Sequence, residues 1–378
     1  MTEISIINEN KFLKKISFEE KKFPTTNSLT KNLSKSTNKT LDYIFFVKII
    51  SAYGVIILHT NKYSFDNFTK DKKWIFFNLI EQFFIFAVPF FVLCIGATLV
   101  DFNEKYGLLE YYKRRFLKVV VPLVAWNVIS YYYKIYFIKN FKNERTDIIS
   151  LLNIFFQNKI YGLFYSFHVF ITTYMIIPLL AYVEKSQKIK IYFYCFFILL
   201  ITQSFIPYII SVFSIKLTWP YRIDAGYILY IFSGYIIQNY VFTKLTKIII
   251  YMIGFFSFLI QVIGTHILAF KYNKVTWKHT GYLIFPTILY CNSLFLFIKE
   301  YSFILYKILN KNIIRKLGSL TIGLFFLHWP VIDFLKKYPF YIFNINIFSF
   351  YGGTLISIIC FILTNILKKI PLIKYLVP

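Results

Sequence analysis

The sequence predicts an all-α integral membrane protein, a bundle of about ten transmembrane helices with both termini in the cytoplasm. Composition is the first observation behind this class. The chain of 378 residues is 57% hydrophobic and only 16% charged, whereas soluble domains carry about 25% charged residues. The second observation is that apolar runs of roughly 20 residues recur along nearly the whole chain, and each can cross about 30 Å of hydrocarbon as a helix.

Each predicted span is a long apolar run, and aromatic residues crowd its ends, as in the interfacial belts of membrane proteins. In chain order the spans are residues 41–60, 74–101, 116–138, 161–183, 191–211, 222–241, 248–269, 282–299, 318–337 and 348–367. When the N-terminus is placed inside, the inner segments carry more Lys and Arg than the outer ones. The positive-inside rule therefore favours both termini in the cytoplasm.

The segments outside the spans are short or polar. Residues 1–40 carry eight lysines without a leading apolar core, which predicts a disordered cytoplasmic tail and no cleavable signal peptide. Residues 41–367 form one membrane domain, and residues 368–378 a short basic cytoplasmic tail. The outer segment 139–160 contains an apolar run too short to span, which predicts an interfacial or re-entrant helix. The inner segment 299–317 predicts an amphipathic helix on the membrane surface.

The net charge of +26 comes from 43 Lys and Arg against 17 Asp and Glu. In a soluble protein this excess would suggest a nucleic-acid partner. In a membrane protein the distribution of charge across the two sides matters more, so we expect lipids and no nucleic acid as partners. The four cysteines all fall inside apolar runs without metal-ligand spacing, so we expect neither a disulfide nor a metal site.

Two ionisable residues lie within the first span, "VKIISAYGVIILHT". Lys48 and His59 are eleven residues apart, which on a helix is three turns plus about 20°, so both side chains share one face about 16 Å apart along the axis. Each alone has an ordinary explanation, a lysine that snorkels to the headgroups or a histidine at the membrane boundary. Together on one face they indicate a functional site, because ionisable residues inside membranes tend to line pathways or sites.

Further charged residues lie in or beside the second and third spans. "YYKRRFLKVVVP" contains Lys113, Arg114, Arg115 and Lys118 before the third span. This run is either a positive-inside anchor or a cradle for a polyanion, since guanidinium groups suit phosphates. Glu81, in "NLIEQFFIF", is costly in hydrocarbon, so we expect it to face the bundle interior near a cation or a histidine.

Four stretches of the chain, taken in order, resemble the acyltransferase-3 family, bacterial integral-membrane enzymes that acylate extracytoplasmic glycans. They are "LDYIFFVKIISAYGVIILH" (41–59), "VPFFVLCIGATLV…YYKRRFLKVVVPLVAW" (88–126), "YSFHVFITTYMIIPLL" (165–180) and "LGSLTIGLFFLHWPVID" (317–333). Each motif is loose, but four in the right order on a ten-span chain are fairly specific. The resemblance covers roughly residues 41–367.

The family's motifs fall on individual residues of this chain. The family's first span carries a basic residue followed, after ten residues, by a histidine, and these correspond to Lys48 and His59. The family's Arg-x-x-Arg motif corresponds to Arg115-Phe-Leu-Lys118. Tyr174 stands in the Tyr-x-x-x-Pro motif, and His328 in the late Ser-x-x-x-Tyr-Leu-x-His-x-Pro segment.

The chain departs from the family pattern at three places. Lys118 replaces an arginine, which keeps the charge but loses the bidentate fork. Cys94-Ile-Gly96 stands where Ser-Gly-aromatic is usual, and Phe326 where a tyrosine is common. These departures concern the details of the donor site more than the class of protein.

The resemblance implies an O-acetyltransferase of the bacterial cytoplasmic membrane. Such an enzyme moves an acyl group, usually acetyl, from cytoplasmic acyl-CoA to a hydroxyl of a cell-surface or lipid-linked glycan. The family's catalytic residue then corresponds to His59. The expected acyl-CoA-binding residues are Lys48, Arg114, Arg115 and Lys118, and further candidates to line the site are Glu81, Tyr174 and His328. Acyl-CoA is a substrate in this scheme, and no permanently bound cofactor or metal is expected.

Two other functions stay open at this point. In a transporter or glycan flippase, Lys48, Glu81 and His59 would form a proton or substrate relay. In a third interpretation the chain is a structural partner in a polysaccharide-synthesis complex, with an inactive site. The acceptor sugar, the size of the acyl group, the choice between a general base and a covalent acyl-histidine, and the oligomeric state are likewise open.

Overall fold

The computed structural model describes residues 42–138, 149, 153, 165–217, 225–337, 348–371 and 373–378. These residues form helices joined by short turns and contain no β-strand. The predicted tail at residues 1–40 and most of the predicted outer helix at 139–160 lie outside the described residues.

Thirteen α-helices are described in these ranges. They are α1 (Asp42–Asp66), α2 (Lys72–Phe84), α3 (Ala87–Leu99), α4 (Leu108–Arg115), α5 (Val121–Tyr133), α6 (Tyr165–Ala181), α7 (Lys185–Leu199), α8 (Ile206–Phe213), α9 (Ile228–Asn239), α10 (Lys244–Tyr272), α11 (Phe285–Ile308), α12 (Lys311–Lys337) and α13 (Gly353–Leu367). A π-helical turn, Phe116–Val120, joins α4 to α5 without a break in the chain direction. A second one, Leu200–Phe205, joins α7 to α8 in the same way.

Within the described ranges, eight helical stretches are long and apolar enough to cross a membrane. They are Asp42–Asp66, Lys72–Glu104, Leu108–Phe137, Lys185–Phe213, Lys244–Tyr272, Phe285–Ile308, Lys311–Leu335 and Phe350–Leu367. Each coincides with one of the ten predicted spans. The other two predicted spans, 161–183 and 222–241, coincide with the shorter helices α6 and α9.

The predicted amphipathic helix at residues 299–317 is wrong. Helix α11 continues through this segment to Ile308, and α12 begins at Lys311. Lys299, at the start of this segment, donates from its Nζ atom to the carbonyl oxygens of Ile237 at 2.6 Å and of Gln238 at 3.1 Å. Lys299 therefore caps the C-terminal end of α9, where unpaired carbonyl groups favour a cation.

Helix α1 packs against several neighbouring helices. A Cβ added to Gly54 would come within 3.0 Å of Ala87 on α3, so the two helices approach closely. On another side, Tyr53 shares a hydrogen bond of 2.9 Å with Thr354 of α13. Near the start of the helix, the Tyr43 hydroxyl donates to Gln238 of α9 at 2.7 Å. These contacts hold α1 against three of its neighbours.

Helices α3 and α9 cross with their backbones in direct contact. A Cβ at Gly96 would lie 2.2 Å from the carbonyl oxygen of Ile231, and a Cβ at Gly234 would lie 2.3 Å from that of Leu93. Small residues permit this close approach, which is a common way for helices to associate in membranes. The reciprocal pair of glycines therefore sets the position of the buried helix α9.

Replacing Gly234 by alanine is expected to destabilise the folded protein, since the new methyl group meets backbone and forces α3 and α9 apart. Overpacking of this kind costs about 1–3 kcal/mol. The measurement is the unfolding temperature of the purified protein in detergent. The matched control is Gly107→Ala, where the added Cβ has no neighbour within 4 Å. An unfolding temperature for Gly234→Ala equal to that of the control would contradict the close helix crossing.

Loops that the sequence places on the same side contact each other. Lys188, which is almost fully buried, pairs with Asp101 at 2.8 Å, and Lys185 pairs with Glu104 at 2.6 Å. These two ion pairs tie the chain at the end of the second predicted span to the start of α7. On the opposite side, the ammonium group of Lys62 lies 5.4 Å from the ring centre of Trp277, which joins two predicted outer segments.

The C-terminal residues pack against the membrane domain. The indole nitrogen of Trp126 on α5 donates to the carbonyl oxygen of Leu376 at 2.8 Å, and Val377 is fully buried. The Trp126 ring in turn stacks on Phe326 of α12, with 5.8 Å between centroids. The C-terminal residues are thus held against α5.

Candidate functional site

His59 lies on α1 in contact with two aromatic rings of α12. Its imidazole stacks on the imidazole of His328, with 5.6 Å between centroids and 26° between ring planes. The Trp329 ring lies 5.2 Å from that of His59 at a tilt of 49°. The first span and the late histidine segment, 269 residues apart in the chain, therefore meet at one point. We call His59, His328 and Trp329 the imidazole site.

His328 is fully buried, and the backbone of its own helix holds its ring. The Nδ1 atom lies 2.9 Å from the carbonyl oxygen of Leu324, one turn earlier. Because a carbonyl oxygen only accepts hydrogen bonds, Nδ1 must carry the proton of this bond. In the neutral ring the other nitrogen, Nε2, then carries the lone pair.

Four basic side chains come together near the N-terminal half of α1. They belong to Lys48 on α1, Arg115 on α4, Lys118 in the following π-helical turn and Lys368 directly after α13. Lys118 interacts electrostatically with each of the other three and also with Arg114, and Lys48 interacts with Arg115. We call these four residues the cationic cluster. Burial lowers the pKa of Lys368 below its ordinary value, so an anion nearby would favour its charged form.

The two neighbouring arginines of the sequence motif have different surroundings. The guanidinium of Arg115 lies 5.6 Å from the ring centre of Tyr174 and 5.8 Å from that of Tyr111. Arg114, one residue earlier and about 100° around the helix, pairs with exposed Glu110 at 2.7 Å and lies over Tyr106. Of the two, Arg115 is the one held between aromatic rings and next to Tyr174.

The cationic cluster carries charge that its surroundings do not neutralise. Within the described part of the chain, no carboxylate forms an ion pair with Lys48, Arg115 or Lys118. The buried Nε atom of Arg115 also has no hydrogen-bond partner among those residues. Like charges repel one another at this range, so the arrangement favours the binding of an anion with several charges.

Glu81 lies apart from the shared face of Lys48 and His59. Its Oε2 atom accepts a hydrogen bond of 3.0 Å from the side chain of Asn61, which is fully buried on α1. Asn61 is two residues after His59 and therefore about 200° around the helix. The carboxylate thus contacts α1 on nearly the opposite side from the imidazole site.

The cationic cluster and the imidazole site lie along one continuous helix. Because α1 runs unbroken from Asp42 to Asp66, Lys48 and His59 keep the spacing of about 16 Å and the shared face that regular helical geometry gives. The cationic cluster can hold a polyanion, and the imidazole site offers a nitrogen lone pair that can take a proton.

Two residues of these groups were missed in the sequence. Trp329 directly follows the predicted His328, and its contact with His59 depends on how α12 packs against α1. Lys368 was assigned to a basic tail, but its Nζ donates to the carbonyl oxygen of Ser319 on α12 at 3.1 Å. A signal for it exists, since a basic residue directly after the last span lies at the same membrane face as the other inner cations.

Comparison with known protein families identifies the chain. Residues 41–366 match a family model described as an acyltransferase domain, and this range covers nearly the whole described chain. The chain belongs to the acyltransferase-3 family. The resemblance seen in four separate sequence motifs is thereby confirmed over the full membrane domain. Neither the curated proteins nor the solved structures that were compared give a match.

The chain belongs to an acyltransferase family, and its described residues include eight helical stretches long and apolar enough to cross a membrane, so it is a multi-pass membrane acyltransferase. Lys48 and His59, which the sequence motif compares with the family's paired basic residue and histidine, lie in the cationic cluster and the imidazole site. The family's late histidine is the buried member of the imidazole site. Among the described residues of this acyltransferase, no group of three or more His, Cys, Asp or Glu side chains is placed to hold a metal ion.

Proposed function

We propose that this acyltransferase moves an acyl group, acetyl in the simplest case, from acyl-CoA to a hydroxyl of a cell-surface or lipid-linked glycan. The observation that carries the proposal is the arrangement on α1, with unneutralised cations around Lys48 and paired imidazoles at His59. CoA has the matching form, since its phosphates lie at one end of the molecule and its thioester at the other.

The cationic cluster binds the phosphates of CoA. Arg115 supplies a guanidinium group that can hold two phosphate oxygens at once, whereas Lys48, Lys118 and Lys368 act as point charges. The pantetheine arm then extends along the shared face of α1 and brings the thioester to the imidazole site. Acyl-CoA is in this scheme a substrate that leaves as CoA after each turnover.

His59 acts as the general base of the transfer. Its imidazole takes the proton of the acceptor hydroxyl while the hydroxyl oxygen attacks the thioester carbonyl carbon. The tetrahedral intermediate collapses, the carbon–sulfur bond breaks, and the CoA thiolate takes the proton from the imidazolium. The products are the acylated glycan and CoA with a free thiol, and His59 returns to its neutral form.

The reaction crosses the membrane plane in this proposal. The loops with more Lys and Arg face the cytoplasm, so both termini lie there. In this arrangement α6 and α9 are the two spans that complete the ten. The cationic cluster then faces cytoplasmic acyl-CoA, and His59 lies toward the outer leaflet, where the glycan is. The membrane is the bacterial cytoplasmic membrane.

The geometry favours this function over a relay through Lys48, Glu81 and His59. A relay requires side chains along one path, but Glu81 binds Asn61 on nearly the opposite side of α1 from His59. The cationic cluster would also serve no purpose in a proton relay, whereas a donor with several phosphates requires such a group.

Transfer of labelled acetyl groups tests the proposed function directly. The purified full-length protein, reconstituted in liposomes, is incubated with acetyl-CoA labelled in the acetyl group and with a membrane glycan fraction. We expect label on the glycan that is released by mild base, as for an ester. Label that stays in acetyl-CoA at the rate seen in protein-free liposomes would contradict the proposal.

A further inference from the structure

The Nε2 atom of His328 is a buried hydrogen-bond acceptor for which the described residues supply no donor. The other nitrogen of the ring is occupied, because Nδ1–H donates to the carbonyl oxygen of Leu324. The side chain is fully buried, and Nε2 has no partner in the part of the chain that the structure describes. A buried polar atom without a hydrogen-bond partner destabilises the protein. A ligand that donates a hydrogen bond to Nε2 would remove this cost.

The position of this atom indicates what kind of ligand it takes. The His328 ring stacks on the ring of His59, so a molecule that reaches His59 also reaches the neighbouring imidazole. A neutral His328 whose Nδ1 proton is held by the backbone can only accept at Nε2. The ligand must therefore present an O–H or N–H group close to its reacting atom.

We propose that His328 binds the acceptor, with Nε2 accepting a hydrogen bond from a second hydroxyl next to the hydroxyl that His59 deprotonates. This inference rests on the proposed function, since it assigns the acceptor side of the same site. It makes the site selective for acceptors with two neighbouring hydroxyl groups, such as those on a sugar ring, over isolated alcohols. No proton leaves the second hydroxyl in this arrangement, so the proton balance of the transfer is unchanged.

The second hydroxyl also fixes the orientation of the first. A hydroxyl held only by His59 can rotate about its carbon–oxygen bond and drift from the thioester, whereas two contacts hold the acceptor at two points. A site that hydrogen-bonds a hydroxyl discriminates strongly against the analogue without it, because the buried partner is then left unpaired. The tilted ring of Trp329 supplies the apolar wall beside His59.

The first test uses the unaltered full-length protein and two probes. Labelled acetyl-CoA is the donor, and cis-1,2-cyclohexanediol and cyclohexanol are compared as inhibitors of transfer to the membrane glycan fraction. The two probes share a six-membered ring and differ by one hydroxyl. We expect the diol to compete with the glycan at a concentration at least tenfold lower than the mono-alcohol. Equal competition by the two probes would overturn the proposal.

The second test separates the two nitrogens of His328 with a pair of variants. In His328→Asn the side-chain amide can still donate to the carbonyl oxygen of Leu324, as Nδ1–H does, but the Nε2 lone pair is lost. In His328→Ala both contacts are lost. We expect His328→Asn to elute and melt like the unaltered protein, to keep its KM for acetyl-CoA, to raise the KM for glycan at least tenfold and to lose the preference for the diol.

The outcomes distinguish the proposal from a structural role. If His328 only anchors α12, His328→Asn keeps the backbone contact and has the KM for glycan of the unaltered protein. That result would overturn the proposal. An equal rise of both KM values would also overturn it. Failure of the proposed function looks different, since the unaltered protein would then place no acetyl group on glycan, whichever residue stands at position 328.

Discussion

Replacing His59 by glutamine is expected to abolish acyl transfer while leaving donor binding intact. Glutamine is polar and of similar length, so it fills the space beside His328 and Trp329, but it cannot take a proton near neutral pH. Loss of a general base typically lowers the rate about 10²–10⁴-fold. The base lies about 16 Å from Lys48 along α1, so the affinity for acetyl-CoA should stay within a factor of about two. The measurements are the rate of label transfer and the dissociation constant for acetyl-CoA.

A second histidine in a spanning helix supplies the matched control. The ring of His266 on α10 has its centroid 4.4 Å from that of Phe270 and 6.4 Å from that of Trp74 on α2. The change His266→Gln has the same chemistry as His59→Gln, so any general effect of losing a partly buried imidazole appears in both variants. Transfer by His59→Gln at the rate of His266→Gln would remove His59 from the reaction.

The shared face of Lys48 and His59 could be predicted from sequence because it depends on local geometry. Lys48 and His59 lie on one helix, and the rotation of about 100° per residue places them on one face whatever surrounds that helix. The apolar runs likewise gave the positions of the eight long helical stretches, because the length needed to cross hydrocarbon is set by the bilayer.

The contacts of the site depend on how segments distant in the chain pack together. The spacing of residues in the sequence does not predict these contacts. The stacking of His59 on His328 joins α1 to α12, and the placement of Lys368 depends on where α13 ends relative to α12. The family resemblance named His328 as a candidate, but the hydrogen bond of its Nδ1 and the neighbouring Trp329 became visible only in three dimensions. The different surroundings of Arg114 and Arg115 follow from the rotation of α4 against α6, which the motif does not specify.

The hydropathy pattern overestimated the length of α9, for a physical reason. Residues 222–241 are predicted as a full span, but α9 covers only Ile228–Asn239. Residues 229–237 of this helix are all buried against other helices. A hydropathy profile measures how apolar a segment is and does not distinguish lipid from protein as its surroundings. Non-helical backbone at membrane depth is tolerated where protein encloses it, so an enclosed helix can be shorter than the bilayer.

Replacing Arg115 by glutamine is expected to weaken the binding of acetyl-CoA, whereas the same change at the neighbouring Arg114 has little effect. Charge-assisted hydrogen bonds contribute about 1.5–3 kcal/mol each, so the dissociation constant should rise about 10- to 100-fold for Arg115→Gln. Arg114 pairs with Glu110 on the exposed side of α4. Exposed pairs contribute about 0–1 kcal/mol, so the change for Arg114→Gln should be no more than a few-fold.

A donor without the nucleotide tests whether Arg115 acts through the phosphates. S-acetyl-pantetheine carries the same thioester but lacks the phosphates at the far end of CoA. The unaltered protein and Arg115→Gln should use this donor equally, and both should use it less well than the unaltered protein uses acetyl-CoA. Raising the salt concentration should weaken acetyl-CoA binding less in Arg115→Gln, since one screened charge interaction has already been removed. A loss with S-acetyl-pantetheine as large as that with acetyl-CoA would show that Arg115 supports the fold of the donor site and does not bind phosphate.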